Sequence, residues 1–153
     1  MLKARVVTKG GTQKLDKVSP GLVARIQKGV RALIIKMQST IQTSKLSGQV
    51  LNRRSGKLSD SLHHEDRIEK GAIVGEVYTG KEAPYAKVHE WGGTFTIRQH
   101  TRQTTMGETI VREHQATFPE RSFMRSTHLE FRSPFKQMIE RAVMEQAKAG
   151  ATT

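Results

Sequence analysis

Cysteine is absent from this chain of 153 residues, so disulfide frameworks, thiolate nucleophiles and cysteine-built zinc sites are excluded together. Aromatic residues are sparse at 5% and apolar residues reach only 35%, a thin supply that leaves part of the stability to neighbours. Long apolar runs are missing as well. Nothing approaches the roughly 18 consecutive apolar residues of a membrane span, and MLKARVVTKGG has no apolar leader, which predicts a soluble chain with no membrane partner. Acids are nearly missing from the first third: residues 1–57 hold thirteen Lys or Arg against Asp16 alone, while residues 58–153 hold thirteen of each sign. The whole net charge of +12 therefore sits at one end of the sequence. That asymmetry points to a polyanion or an acidic protein surface as neighbour, or to a solvated basic face that keeps the chain soluble.

The length suits one domain over residues 1–153. LKARVVT, residues 2–8, predicts a short strand ended by Gly10-Gly11. Ser19 followed by Pro20 is a helix start, and Leu22, Val23, Ile26, Val30, Leu33, Ile34, Met37 and Ile41 then recur at helical spacing as far as about Thr43. Arg25, Lys28, Arg31 and Lys36 occupy the opposite side, a basic ridge that Arg53, Arg54 and Lys57 extend toward DNA or an acidic partner. Residues 55–62 predict a short helix with Leu58 and Leu62 on one face. Residues 63–70 and 72–80 predict a hairpin about Gly71, and Pro84 opens a helical turn through Trp91 that Gly92-Gly93 terminate.

From Thr94 to Phe118 the chain is rich in Thr and β-branched residues, which predicts two strands, 94–102 and 109–118. Phe95 and Ile97 share a face and Ile110 and Val111 point to opposite ones, so this long hairpin has little core of its own. Such an arm becomes rigid when something packs on it. The next copy of the same protein is the candidate, with Phe95, Ile97, His100, Ile110, Val111 and His114 as contact residues. After Pro119, Ser133-Pro134 repeats the cap-then-proline signal, Phe135, Met138, Ile139, Ala142 and Val143 form a second stripe, and the tail, residues 149–153 above all, should fray. The expected architecture is α+β: a small antiparallel sheet against a long N-terminal and a C-terminal helix, with a protruding hairpin.

Chemistry-bearing patterns are weak. His63 and His64 are adjacent on a strand and point to opposite faces, so only one of them can join a given metal site. His100 and His114 meet across the arm if its turn centres near Gly107. His89 and Glu90 diverge by about 100° on a helical turn and cannot share a substrate proton. No HExxH, P-loop, GxSxG or dinucleotide fingerprint occurs, and no helix-turn-helix or aromatic RNA-binding strand, so neither an enzyme, a cofactor, a metal nor a sequence-specific nucleic-acid reader is expected. Nonspecific contact of the ridge with a phosphate backbone is the alternative reading.

Three ordered segments carry a resemblance. Ser55, Gly56, Leu58 and Ser61, then Tyr85, Ala86, His89, Glu90 and Gly92, then Pro119, Arg121, Phe123 and Arg125 resemble motifs of tailed-phage morphogenesis proteins. These are the Mu-type virion morphogenesis or tail completion proteins and the similar lambdoid head-tail joining (neck) proteins, and the likeness spans residues 20 to 145. Ser122 stands where such motifs often carry a second proline, and Trp91 replaces the usual Phe. The resemblance implies a non-enzymatic structural protein without cofactor that closes into a ring, a hexamer, at the head-tail junction of a virion. It further implies neighbouring neck and tail proteins, double-stranded DNA in the lumen, and assembly in the bacterial host cytoplasm. Tyr85, His89, Trp91, Gly92, Gly93, Pro119, Arg121 and Phe123 become fold-pinning residues on this reading. Tyr85, Val88 and Trp91 seat the turn on the sheet, and the glycines let the chain reverse into the arm.

Overall fold

A computed structural model of the chain describes residues 1–8, 19–49 and 56–150; Arg53, Arg54, Ser55 and the Gly10-Gly11 strand end lie outside them. Helix α1, Pro20–Thr40, starts as expected: the Ser19 hydroxyl accepts from the Leu22 N–H at 3.4 Å and Pro20 fills the first position, where a missing N–H costs nothing. Ile26, Val30, Ile34 and Met37 are buried along one face, with Leu22, Val23 and Leu33 packed beside them. The helix does not stop near Thr43. It widens into a π-type segment over Ile41–Gln49 that buries Ile41 and Leu46 before Gly48, at φ 123, breaks it. Hydroxyls of Thr40, Thr43 and Ser47 each donate to the carbonyl four residues back across this stretch, drawing those carbonyls off the regular ladder.

Strands β1 (Lys3–Thr8), β2 (Leu62–Glu69) and β3 (Ala72–Thr79) form an antiparallel sheet in the order β1-β3-β2. Lys70 and Gly71, with φ of 51 and 71, make the tight two-residue turn between β2 and β3. Toward α1 the sheet presents Ile73, Gly75 and Val77, and at Gly75 a Cβ would sit 2.8 Å from both Val30 and Ile34. The helix therefore rests directly on the sheet backbone. On the outer face Glu76 is nearly covered by cations, with Arg67 at 3.0 Å, Arg5 at 3.4 Å and Lys3 at 3.7 Å. The hydrogen bond from Arg67 holds the Glu76 carboxyl below the usual carboxylate range.

Between these elements, α2 (Lys57–Asp60) is a single turn, shorter than the 55–62 helix the spacing predicts. Leu62 belongs to β2 and is buried there, because Gly80 N–H already takes the Ser61 carbonyl at 2.7 Å as strand pairing begins. Helices α3 (Ala86–Trp91), α4 (Met124–Glu130) and α5 (Arg132–Gly150) complete the helical set among the described residues. Helix α5 opens beside Ser133-Pro134 as expected, but at Arg132, two residues before the proline that the signal places first. Phe131 N–H reaches Thr127 O and Phe135 N–H reaches Phe131 O, both at 3.0 Å, so the chain stays helical across the joint and Pro134 falls in the first turn of α5. Phe135 and Ala142 are buried and Val143 is exposed, and the helix runs to Gly150; residues 151–153 of the tail expected to fray lie outside the described residues. Helix α1 contacts both the sheet and α5, and Phe123, Met124 and Phe131 join the one core.

The arm comprises β4 (Gly93–Ile97), β5 (His100–Thr104), β6 (Gly107–Val111) and β7 (His114–Phe118), paired β4 with β7 and β5 with β6. Its turn is Thr105-Met106, and residues 98–99 and 112–113 interrupt the ladder at the same height, so each long strand of the sequence reading is two short ones. Among the described residues no element of the body makes an extended contact with the arm, which α3 touches at its root through His89 and Phe118.

Candidate functional site: the clasp at the root of the arm

Helix α3 enters the arm through Gly92, whose φ is +61; a Cβ there would lie 2.6 Å from Glu120 N and 2.8 Å from Phe118 O, so only glycine lets the two ends of the arm close. Arg121 N–H donates to His89 O at 2.8 Å and fastens the outgoing strand to α3. The centre of the clasp is Glu90, only 1% exposed. Its carboxylate accepts from Met124 N–H at 2.9 Å, Arg125 N–H at 2.7 Å and the Ser122 hydroxyl at 3.2 Å. The two otherwise unpaired N–H groups of the first turn of α4 are thereby satisfied by a side chain more than thirty residues earlier. Segment 85–93 and segment 119–125 are thus one physical site, and Ser122 is one of its hydrogen-bond donors.

Trp91 overturns its sequence reading. The indole is 56% exposed and does not seat α3 on the sheet; Arg125 lies over its face, 4.3 Å from the ring centroid, and also pairs with Glu120. Tyr85 is likewise exposed and meets His89 edge-on, with 5.9 Å between ring centroids. The residues that do anchor α3 are small or charged, Ala86 and Glu90, beside the fully buried Phe123 of the third motif. His89 in turn meets Phe118, and Phe118 meets Phe95, so an aromatic chain runs from α3 onto the arm. Burial first, and the charge of Arg121 second, push the His89 imidazole below its ordinary pKa. Pro119 and Gly93 are exposed at the foot of the arm.

Along the arm, Gly93, Phe95 and Ile97 face Phe118, Ala116 and His114, and the two-residue interruption preserves the alternation, so Ile110 and Glu108 continue that same face. His100 and Val111 pair on the other face. The six contact residues of the sequence reading therefore divide: Phe95, Ile97, Ile110 and His114 on one side, His100 and Val111 on the other. His100 and His114 do not meet; they lie three positions apart in register. Each Nδ1–H instead donates to the carbonyl two residues back, Arg98 O at 3.0 Å and Arg112 O at 2.9 Å, where the ladder is interrupted.

The basic ridge also divides. Arg25 reaches Glu145 on α5 at 3.6 Å and Arg31 reaches Asp66 on β2 at 3.5 Å, on opposite flanks of α1. Lys28 and Lys36 are exposed with no ion pair among the described residues, and Lys57 is exposed at the start of α2. His63 faces Glu82 at 3.3 Å while His64 turns to Gln38 on α1, the divergence expected of strand neighbours. Among the described residues no three His, Asp or Glu side chains gather as a metal site, and no helix is long and apolar enough to cross a membrane. Compared with protein-family models, curated proteins and solved structures, the chain matches none.

Proposed function

We propose that this chain is a structural, non-catalytic subunit of a tailed-phage virion. It closes into a homo-oligomeric ring at the head-tail junction by laying the arm of residues 93–118 on the next copy. The observation that carries the reading is an arm that stands off its own body beyond its root, with Phe95 39% and Ile110 65% exposed on the face where Ile97 is half-buried. Exposed apolar side chains on one such face mark protein contacts, and an arm reaching from each copy to a different patch on the next is a heterologous contact, which builds a ring where the rotation between copies closes. The three ordered motifs supply the tail-completion or neck assignment, and the clasp gives two of them a shared purpose in aiming the arm. Six copies, neighbouring neck and tail proteins and a DNA-filled lumen belong to the same proposal. The test is removal of residues 99–108 followed by size-exclusion chromatography with light scattering. The full chain should run as a closed oligomer and the shortened one as a folded monomer; a ring that survives the deletion rejects the reading.

A further inference from the structure

A groove of about 540 Å³ runs between α1 and α5. Its floor is apolar, built from Gly29, Leu33 and Met138 and the buried Ala142, and it exists in this form because Gly29 has no side chain: a Cβ there would run into the Met138 thioether. Its rim is cationic, with Arg25, Lys28 and Arg141 against the single acid Glu145, which Arg25 engages. Ile35 on α1 and Met144 on α5, each one turn beyond a lining residue, are exposed and widen the apolar area. A groove of this make suits a narrow projection that brings apolar side chains with a carboxylate between them. A DNA backbone would find an apolar floor under its phosphates.

The same chain carries such a projection. At the end of the arm Met106 is 99% exposed and Ile110 65% exposed, with Glu108 between them. Glu108 shares a face with Ile110, Gln103 and Thr101, and Gln103 Nε2–H donates to its carboxylate at 2.7 Å, so the tip presents one acid and no base on that face. The twelve residues from Gly93 to Thr104 span about 40 Å at the usual strand rise, longer than the roughly 30 Å diameter of a small domain. The tip can therefore reach the far side of an adjacent copy. At the root of the arm the Arg125 guanidinium is already committed to Trp91 and Glu120, whereas Lys28 and Arg141 on the groove rim have no ion pair among the described residues.

We infer that the α1–α5 groove of one copy receives the Met106–Ile110 tip of the next, with Met106 and Ile110 on the apolar floor and Glu108 against Lys28 and Arg141. The inference rests on the ring reading and adds to it the surface that the arm meets. Because the chain has no cysteine, pairs can be introduced without background. Met106→Cys is combined in turn with Ala32→Cys in the groove, Lys87→Cys near the root, and Glu140→Cys on the outer side of α5, and each assembled sample is treated with a short bis-maleimide. The groove pair should give a ladder of covalent oligomers and the other two pairs essentially none. In parallel, Glu108→Lys should weaken assembly at least tenfold, and Glu108→Lys with Lys28→Glu should restore most of it. Cross-linking at the root or outer α5 positions but not in the groove, or none at all while deletion of 99–108 still dissolves the oligomer, overturns the groove and leaves the arm reading standing. A chain that stays monomeric, or a shortened chain that assembles as the full one does, overturns both.

Discussion

With its carboxylate buried and answered by two N–H groups and a hydroxyl, Glu90 is held by more partners than any other side chain of α3. Glu90→Ala strands the Met124 and Arg125 N–H groups in a buried setting and should cost about 2–4 kcal/mol, the loss of charge-assisted bonds plus unmet donors. Glu90→Gln, which keeps one carbonyl oxygen, should cost less, and urea melts of both variants measure the difference. Trp91→Ala should behave in the opposite way to a core aromatic. Removing a half-exposed ring that stacks on one guanidinium forfeits about 0.5–1 kcal/mol, against the 3–5 kcal/mol of a buried one. A Trp91→Ala protein melting far below the parent would contradict the exposed placement. The sequence reading ranked these neighbours the wrong way round, and the reason is physical. An aromatic is a good guess for burial by transfer free energy alone, whereas a Glu becomes a core residue only if donors from a distant segment converge on it. Spacing within residues 85–93 carries no trace of that convergence. The one available signal was the ordered pairing of that segment with FPERSFMR.

Elements whose identity rests on local periodicity were legible: α1 from its Ser-Pro start and apolar stripe, the β2–β3 hairpin from alternation about Gly71, α3 from its terminating glycines. What escaped was set by contacts between elements. The widening after Thr40, the capture of Leu62 by the sheet and the continuity through Phe131 each depend on a partner carbonyl, N–H or strand that local sequence does not name. Gly75 belongs here too. Alternation placed it on β3, but only the packed structure shows α1 lying against it. Gly75→Val should drive Val30 and Ile34 off the sheet and cost about 1–3 kcal/mol, seen as a lower melting temperature with the arm unaffected. Acidification acts on two elements with the same sign. His89 has a folded pKa below its ordinary 6.5, so as pH drops below that value the unfolded chain takes up a proton that the folded one resists, and stability falls. Glu76 has a folded pKa below its ordinary 4.5; its contribution is complete above that value and is lost as pH falls toward the lower folded one. Melting temperature followed from about pH 8 to about pH 3.5 should therefore decline in two stages. His89→Gln should remove the first and Glu76→Gln the second.

At the scale of the whole molecule, the single basic face expected of the charge asymmetry does not form among the described residues. Wheel positions placed Arg25, Lys28, Arg31 and Lys36 opposite the apolar stripe; α5 and β2 then approach α1 from either flank and each supplies one carboxylate, which periodicity within α1 has no means to record. A duplex laid along α1 would have to draw Arg25 from Glu145 and Arg31 from Asp66, while Lys28 and Lys36 offer charges without that competition. Each phosphate neutralised contributes about −0.9 to the slope of log affinity against log salt. In the arm-shortened monomer, where the groove and ridge are free of a neighbour, the Lys28→Ala, Lys36→Ala pair should flatten the slope for random-sequence duplex by about 2 and the Arg25→Ala, Arg31→Ala pair by less than 1. Titrations at several salt concentrations give both numbers. If the arginine pair flattens the slope as much as the lysine pair, the carboxylates of α5 and β2 are not restraining the ridge. The basic third would then act as one DNA-facing surface, and the division that favours protein in the α1–α5 groove would lose its electrostatic ground.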